Sequence, residues 1–97
     1  MLNVKLTKIE STHNNLRTND MEGKTGSIPE VGYDIMVFGE GLVFGTRVIH
    51  TTEVKESVYD KTTKTFTFKT QNSTYTLEIL DKDLSDEEIF SHGKYKA

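Results

Sequence analysis

Two alternating segments joined by a turn constrain the fold of this chain more than any other feature of its sequence. In residues 65–70, Phe66 and Phe68 alternate with polar residues, and residues 75–79 alternate in the same way. A period of two places every second side chain on one face of a β-strand. Gln71-Asn72-Ser73, which lies between the two segments, contains residue types that tight turns favour. The sequence therefore predicts a β-hairpin with one buried face. The predicted inward-facing residues are Phe66, Phe68, Thr70, Tyr75, Leu77 and Ile79.

Other alternating or apolar segments predict further strands. They cover residues 2–6, 16–22, 33–38 and, as one long strand, 46–58. A flat sheet of so few short strands would leave its edges open, and curling hides those edges. We therefore predict a mostly β fold, a small five- to six-stranded antiparallel barrel-like sheet of the SH3 or OB type, with a short C-terminal helix.

The last residues form an acidic tail over 81–97, with a helix that begins at Ser85. Ser85 and Glu88, three residues later, match the capping box, in which each side chain accepts a hydrogen bond from the other residue's backbone. Ile89 and Phe90 would form the packing face of this helix. We treat residues 1–97 as one domain, because a chain of 97 residues has room for a single core.

Composition narrows the functional classes. The chain has no cysteine, which removes disulfides, thiolate metal sites and thiol nucleophiles, and favours an intracellular, cytoplasmic location. A formal net charge of −3 argues against a protein that coats duplex nucleic acid. No apolar run approaches the length of a membrane span. The three histidines stand far apart, and no spacing predicts a metal site, a cofactor or a catalytic centre. Because so small a core gains from an interface, we expect a homo-oligomer.

Two polar segments, Arg47 to Thr52 and Thr70 to Tyr75, are the candidates for ligand binding. They combine a guanidinium, hydroxyls, amides and an aromatic ring, which are the groups that hold a phosphate, a sugar and a base. A smaller set of the same kind is Arg17 and Thr18. A purely structural explanation stays open, because threonine favours strands and Asn72 favours turns. The candidate ligand-binding residues are Arg17, Thr18, Arg47, Thr51, Thr52, Gln71, Asn72, Ser73, Thr74 and Tyr75.

The chain resembles a group of small phage-encoded proteins over about residues 2 to 80, with the acidic tail outside the resemblance. The segments that carry it are Leu16-Arg17-Thr18-Asn19, Ile28-Pro29-Glu30-Val31-Gly32, Phe38-Gly39-Glu40-Gly41-Leu42, Gly45-Thr46-Arg47-Val48-Ile49, Thr51-Thr52-Glu53-Val54 and Phe68-Lys69-Thr70-Gln71-Asn72-Ser73-Thr74-Tyr75. Members of this group resemble anti-defence sponges, which bind the cyclic nucleotide messengers of CBASS or Thoeris immunity and silence them without cleavage.

The resemblance implies a viral immune-evasion protein that is not an enzyme. Its ligand would be a small anionic nucleotide, either a cyclic oligonucleotide or a cyclic ADP-ribose isomer. The implied contacts are Arg17 and Arg47 to phosphates, Thr51, Thr52, Ser73 and Thr74 to phosphate or ribose oxygens, Gln71 and Asn72 to a base edge, and Tyr33, Phe44 or Tyr75 as stacking rings.

Three other functions stay open at this point. The chain could be a protein-interaction module that inhibits a host enzyme by docking through the acidic tail. It could be a small barrel that binds RNA or single strands, although its net charge argues against this. An enzyme is the alternative that the residues favour least.

Overall fold

The computed structural model describes residues 1–11, 20–40 and 45–93. Three residues of the predicted ligand set, Arg17, Thr18 and Phe44, lie outside the described residues. The elements are β1 (Leu2–Ser11), β2 (Asp20–Thr25), β3 (Met36–Glu40), β4 (Thr46–His50), β5 (Glu56–Asp60), β6 (Thr65–Lys69), β7 (Ser73–Ile79) and α1 (Asp86–Phe90).

The strands form one antiparallel sheet in the order β4-β3-β2-β1-β7-β6-β5. The predicted mostly β class, the antiparallel pairing and the short C-terminal helix are confirmed. The described residues contain seven strands, more than the five or six predicted. The difference arises in part because the predicted long strand over residues 46–58 is wrong: β4 and β5 are separate strands at opposite edges of the sheet.

Thr51 ends β4. Its backbone N–H still donates to the carbonyl of Ile35 at 2.8 Å, and its hydroxyl accepts from the N–H of Ile35 at 3.1 Å. This hydroxyl therefore replaces the backbone carbonyl that would continue the ladder. The chain then crosses to the other end of the sheet, where the N–H of Lys55 donates to the carbonyl of Lys69 at 2.7 Å. Residue types alone could not separate this crossing from a continuous strand.

Irregular chain covers the gap between the two edge strands of the curled sheet. The N–H of Gly32 donates to the carbonyl of Val54 at 2.9 Å, and the hydroxyl of Ser57 in β5 donates to the carbonyl of Pro29 at 3.1 Å. Ile89 of α1 is fully buried in the same core. Strands β4 and β5 do not pair with each other, so the sheet is curled but not closed into a barrel.

The core lies on the inner face of the curled sheet, and the predicted hairpin supplies much of it. Phe68 and Tyr75, which face each other across β6 and β7, stack with ring centroids 5.1 Å apart. The inward orientation of all six predicted hairpin residues is confirmed. The fully buried large side chains include Phe66, Phe68, Leu2, Leu6, Ile35, Leu77, Ile79 and Ile89.

Two glycines allow β2 and β3 to cross closely. Gly23 and Gly39 are directly paired, and a Cβ atom on Gly23 would lie 2.2 Å from the carbonyl oxygen of Phe38. A Cβ atom on Gly39 would lie 2.8 Å from the carbonyl oxygen of Glu22. Because these neighbours are backbone atoms, no side-chain rearrangement could make room. The glycines therefore form a corner at which the sheet bends.

The acidic segment after β7 is part of the fold. The predicted capping box is confirmed, with Ser85 as the N-cap and both hydrogen bonds to Glu88 present. The hydroxyl of Tyr59 donates to the Asp86 carboxylate at 2.6 Å, and Asp81 accepts from both the backbone and the side chain of Asn3 at 2.9 Å. The part of the predicted tail that the structure describes is therefore docked on the sheet. Across the residues described, no helix is long and apolar enough to cross a membrane.

Candidate functional site

The structure separates the predicted ligand residues into two regions. Arg47 lies on β4, and Thr51 and Thr52 follow it in the crossing segment. Gln71 to Thr74 form the turn between β6 and β7 and the start of β7. Strands β3, β2 and β1 lie between β4 and β7 in the sheet. The four cavities found among the described residues include none that both regions line.

Arg47 carries an unsatisfied buried group. The alternation along β4 leaves Thr46, Val48 and His50 exposed and turns Arg47 and Ile49 towards the inner face. In the described part of the chain, the Nη2 atom of Arg47 is buried and has no hydrogen-bond partner. A buried cationic donor without a partner is costly, and such groups call for an unseen water, ion or ligand. Among the predicted ligand-binding residues, Arg47 therefore has a buried charged donor that an anion could satisfy.

The neighbour of Arg47 on β3 has no side chain. Gly39 is directly opposite Arg47 in the β3–β4 ladder. Residues opposite each other in a ladder project to the same face, so β3 itself places no side chain beside Arg47. The position that a Cβ atom of Gly39 would take is filled by the side chain of Met21, whose Sδ atom lies 2.9 Å away.

The turn between β6 and β7 lines a small depression of about 170 Å³. The lining residues are Glu10, Lys69, Thr70, Gln71, Asn72, Ser73 and Thr74. A depression of this size can take a phosphate group or one edge of a sugar, whereas ligand pockets for whole drug-sized molecules are about 300–1,000 Å³. Lys69 contributes a positive charge that it shares with Glu56 at 3.8 Å, and Glu10 contributes a negative one. Hydroxyls and amides, rather than net charge, therefore dominate this region.

Two of the predicted contact residues are already engaged by the fold. The hydroxyl of Thr51 accepts from Ile35 and donates to the carbonyl of Thr52 at 2.9 Å. The ring of Tyr75 is buried between Phe68, stacked on it, and the amine of Lys8, which lies 5.7 Å from the ring centroid. Neither group can reach a ligand without rearrangement, so the predicted ligand contacts of Thr51 and Tyr75 are not formed by this arrangement. Thr52, by contrast, is exposed.

The sequence patterns did not predict two further grooves among the described residues. One, of about 550 Å³, lies over the glycine corner and combines the ring of Phe38 with the amine of Lys24. The other, of about 520 Å³, lies beside β5 and contains the rings of Tyr59, Phe66 and Phe90. Their residues come from distant parts of the chain, so no local pattern marks them. The paired glycines were the one signal that could have indicated the first groove.

The groove beside β5 holds the most perturbed titratable group. Burial, together with the hydrogen bond to the Asp86 carboxylate, raises the pKa of Tyr59 to about 12. The same hydrogen bond lowers the pKa of Asp86, with help from the nearby Lys64. Both shifts stabilise a neutral tyrosine that donates to an ionised carboxylate. This pair fastens α1 to β5 and offers no proton for chemistry near neutral pH.

The described residues contain no group of three or more histidine, aspartate or glutamate side chains that could hold a metal ion. No protein-family model, no curated protein and no solved structure matches this chain.

Proposed function

We propose that this protein binds a small phosphate-bearing nucleotide and sequesters it unchanged, with Arg47 as the phosphate anchor. The observation that carries the proposal is the buried Nη2 atom of Arg47, which lacks a partner among the described residues. A phosphate oxygen would satisfy this donor with a charge-assisted hydrogen bond. The physical need for an anion and the sequence-based role of Arg47 thus coincide at one atom.

The turn between β6 and β7 shares no cavity with Arg47, so within one copy of the chain it would form a second, separate contact region. Gln71 and Asn72 offer amides suited to a base or sugar edge, and Ser73 and Thr74 offer hydroxyls around the same depression. We propose cyclic nucleotide messengers of CBASS or Thoeris immunity as the ligand class, as the resemblance implies. Silencing by sequestration needs no catalytic group.

The acidic segment gives little support to docking on a host enzyme through a free tail. Asp81 is held by Asn3, Asp86 is held by Tyr59, and Ile89 is buried in the core. Removal of residues 81–97 would therefore damage the fold itself, and a truncation could not isolate a docking function. We do not carry this alternative as a second proposal.

Isothermal titration calorimetry with three variants tests the anchor role. The probes are cyclic AMP, cyclic di-AMP, cyclic tri-AMP and cyclic ADP-ribose. We expect Arg47→Ala to weaken the binding probe about tenfold to hundredfold, since a hydrogen bond to a charged group contributes about 1.5–3 kcal/mol. Arg47→Lys should recover only part of this loss, because an ammonium lacks the planar fork of the guanidinium.

Lys61→Ala is the matched control, because Lys61 is an exposed cation in the turn between β5 and β6. It removes the same charge and should leave affinity unchanged. Equal losses of affinity in Arg47→Ala and Lys61→Ala would mean that Arg47 acts only through the net charge of the protein. Full affinity in a folded Arg47→Ala protein would remove the anchor role.

A further inference from the structure

Strand β4 is a free edge of the sheet with its hydrogen-bonding groups directed outward. The N–H of Thr51 donates to the carbonyl of Ile35, and this pair is in register with the rest of the β3–β4 ladder. Hydrogen-bonded pairs alternate along an antiparallel ladder, so Ile49 and Arg47 also bond to β3. The backbone groups of Thr46, Val48 and His50 must therefore point away from the sheet. Among the described residues, no backbone group bonds to them from that side.

Three apolar side chains lie on the outer face beside this edge, next to the polar Thr46 and His50. Val48, at the centre of β4, is 46% exposed, and Met36 on β3 is 37% exposed. Phe38 lies directly opposite Val48 in the ladder and is half-buried. An exposed edge with apolar side chains next to unpaired backbone groups is a template for another strand.

Strand β5, the other edge of the sheet, is a useful contrast. Its central residue, Val58, is 70% exposed, but its flanking residues Glu56 and Asp60 are both acidic. If two copies of β5 paired about Val58, Glu56 of each copy would lie directly opposite Asp60 of the other. Like charges in that position are destabilising. The β5 edge is thus protected against self-association by its charges.

Strand β4 has no such protection against itself. When two copies of β4 pair antiparallel about Val48, Thr46 lies opposite His50 and Arg47 lies opposite Ile49. No two like charges face each other directly. All the outward backbone groups pair, giving about six hydrogen bonds. On the outer face, Phe38 and Val48 of one copy continue into Val48 and Phe38 of the other, so four apolar side chains form one uninterrupted row.

We propose that β4 is the self-association surface of this protein, and that two copies join their sheets through antiparallel β4 pairing about a two-fold axis at Val48. Such an isologous interface closes on itself and yields a dimer, because each copy uses the same patch. The pairing follows from register, charge and exposed apolar surface, and it does not depend on the proposed nucleotide binding.

Sedimentation velocity with one substitution at each edge tests the proposal. The full chain should sediment as a dimer of twice 11.0 kDa. Val48→Lys places two lysines opposite each other at the two-fold axis and should raise the dimer dissociation constant at least about tenfold. Val58→Lys makes the same change at the centre of β5 and should leave the dimer intact. A monomeric wild-type chain, or dissociation by Val58→Lys and not by Val48→Lys, overturns the proposal.

A cysteine substitution provides a second measurement that does not rely on the lysine variant folding. The chain has no cysteine, so Val48→Cys introduces a single thiol. Hydrogen-bonded antiparallel partners have Cα atoms about 5.5 Å apart, which is within the range for a disulfide. Mild oxidation should therefore cross-link Val48→Cys chains into covalent dimers, whereas Val58→Cys chains should remain uncross-linked. Failure of Val48→Cys to cross-link faster than Val58→Cys contradicts pairing at β4.

Discussion

The two halves of the sheet serve different purposes. Strands β1, β7 and β6 pair over long ladders and bury large aromatic and aliphatic side chains such as Phe68 and Leu77. Strands β2, β3 and β4 meet at a glycine corner, pair weakly at β2–β3 and end at an open edge. The second half also holds Arg47, whose buried Nη2 atom has no hydrogen-bond partner among the residues that the structure describes. The first half provides stability, and the second half carries features that stability alone does not explain.

The strands that bury the large side chains are thus not the strands that hold Arg47 and the β4 edge. A domain of this size is stable by only about 5–10 kcal/mol, so unsatisfied groups and open edges must be compensated by packing elsewhere. The stack of Phe68 on Tyr75 and the buried Phe66 lie in the other half, away from the buried donor of Arg47 and from the β4 edge. The proposed anion-binding residue and the β4 edge therefore lie outside the part of the sheet that contains the stacked aromatic rings.

The glycine corner is the most sensitive position in the second half. Gly23→Ala should lower the free energy of unfolding by about 2–3 kcal/mol, because its Cβ atom would lie 2.2 Å from the Phe38 carbonyl oxygen. Urea unfolding of the two proteins measures this difference.

Gly26→Ala is the control for the corner. The nearest atom to its added Cβ is a terminal methyl carbon of Met1 at 3.9 Å, an ordinary contact. Its stability should stay within about 1 kcal/mol of wild type. Similar losses in Gly23→Ala and Gly26→Ala would mean that the close crossing of β2 and β3 is not what constrains this half.

A hydrophobic replacement of Arg47 should separate stability from binding. Arg47→Met removes a buried donor without a partner and keeps an unbranched chain, so the ligand-free protein should gain about 1 kcal/mol. Thermal unfolding measures this gain, and calorimetry should at the same time show weakened ligand binding. A loss of stability in Arg47→Met would identify Arg47 as a structural residue like those of the first half.

The hydrogen bond from Tyr59 to Asp86, which joins β5 to α1, has the smallest expected effect on stability. That effect is confined to extremes of pH. Because burial and Asp86 raise the pKa of Tyr59 above its unfolded value of 10.0 to about 12, its stabilisation is present below pH 10 and is lost between pH 10 and 12. The hydrogen bond from Tyr59 lowers the pKa of Asp86 below 3.8, so this contribution is present above that pH and is lost in more acidic solution.

Tyr59→Phe keeps the ring contacts with Phe66 and Phe90, whose centroids lie 4.6 and 5.1 Å away, and removes the hydroxyl. Melting temperatures recorded from pH 9 to 12 should fall more steeply for wild type than for Tyr59→Phe. Melting curves that fall equally with pH in the two proteins would show that the Tyr59–Asp86 hydrogen bond contributes nothing to the docking of α1.

Local patterns predicted the first half well and the second half poorly. The alternation around Phe66 and Phe68 and the capping box at Ser85 depend on neighbours in sequence, so they were readable. The end of β4 at Thr51 depends on Ile35, and the corner at Gly23 depends on Phe38; both partners are remote along the chain. Arg47 was identified by its residue type, but only the ladder opposite Gly39 shows which way it points.

The central claim is that this protein holds a cyclic nucleotide without changing it. A thermal-shift screen against cyclic mono-, di- and trinucleotides and cyclic ADP-ribose isomers, followed by chromatography of the ligand released on denaturation, tests it most directly. A ligand at a hundred times its dissociation constant should add about 2.7 kcal/mol of stability, or several degrees. We expect such a shift with the ligand recovered intact. No shift with any nucleotide, or recovery of a cleaved product, would contradict the account.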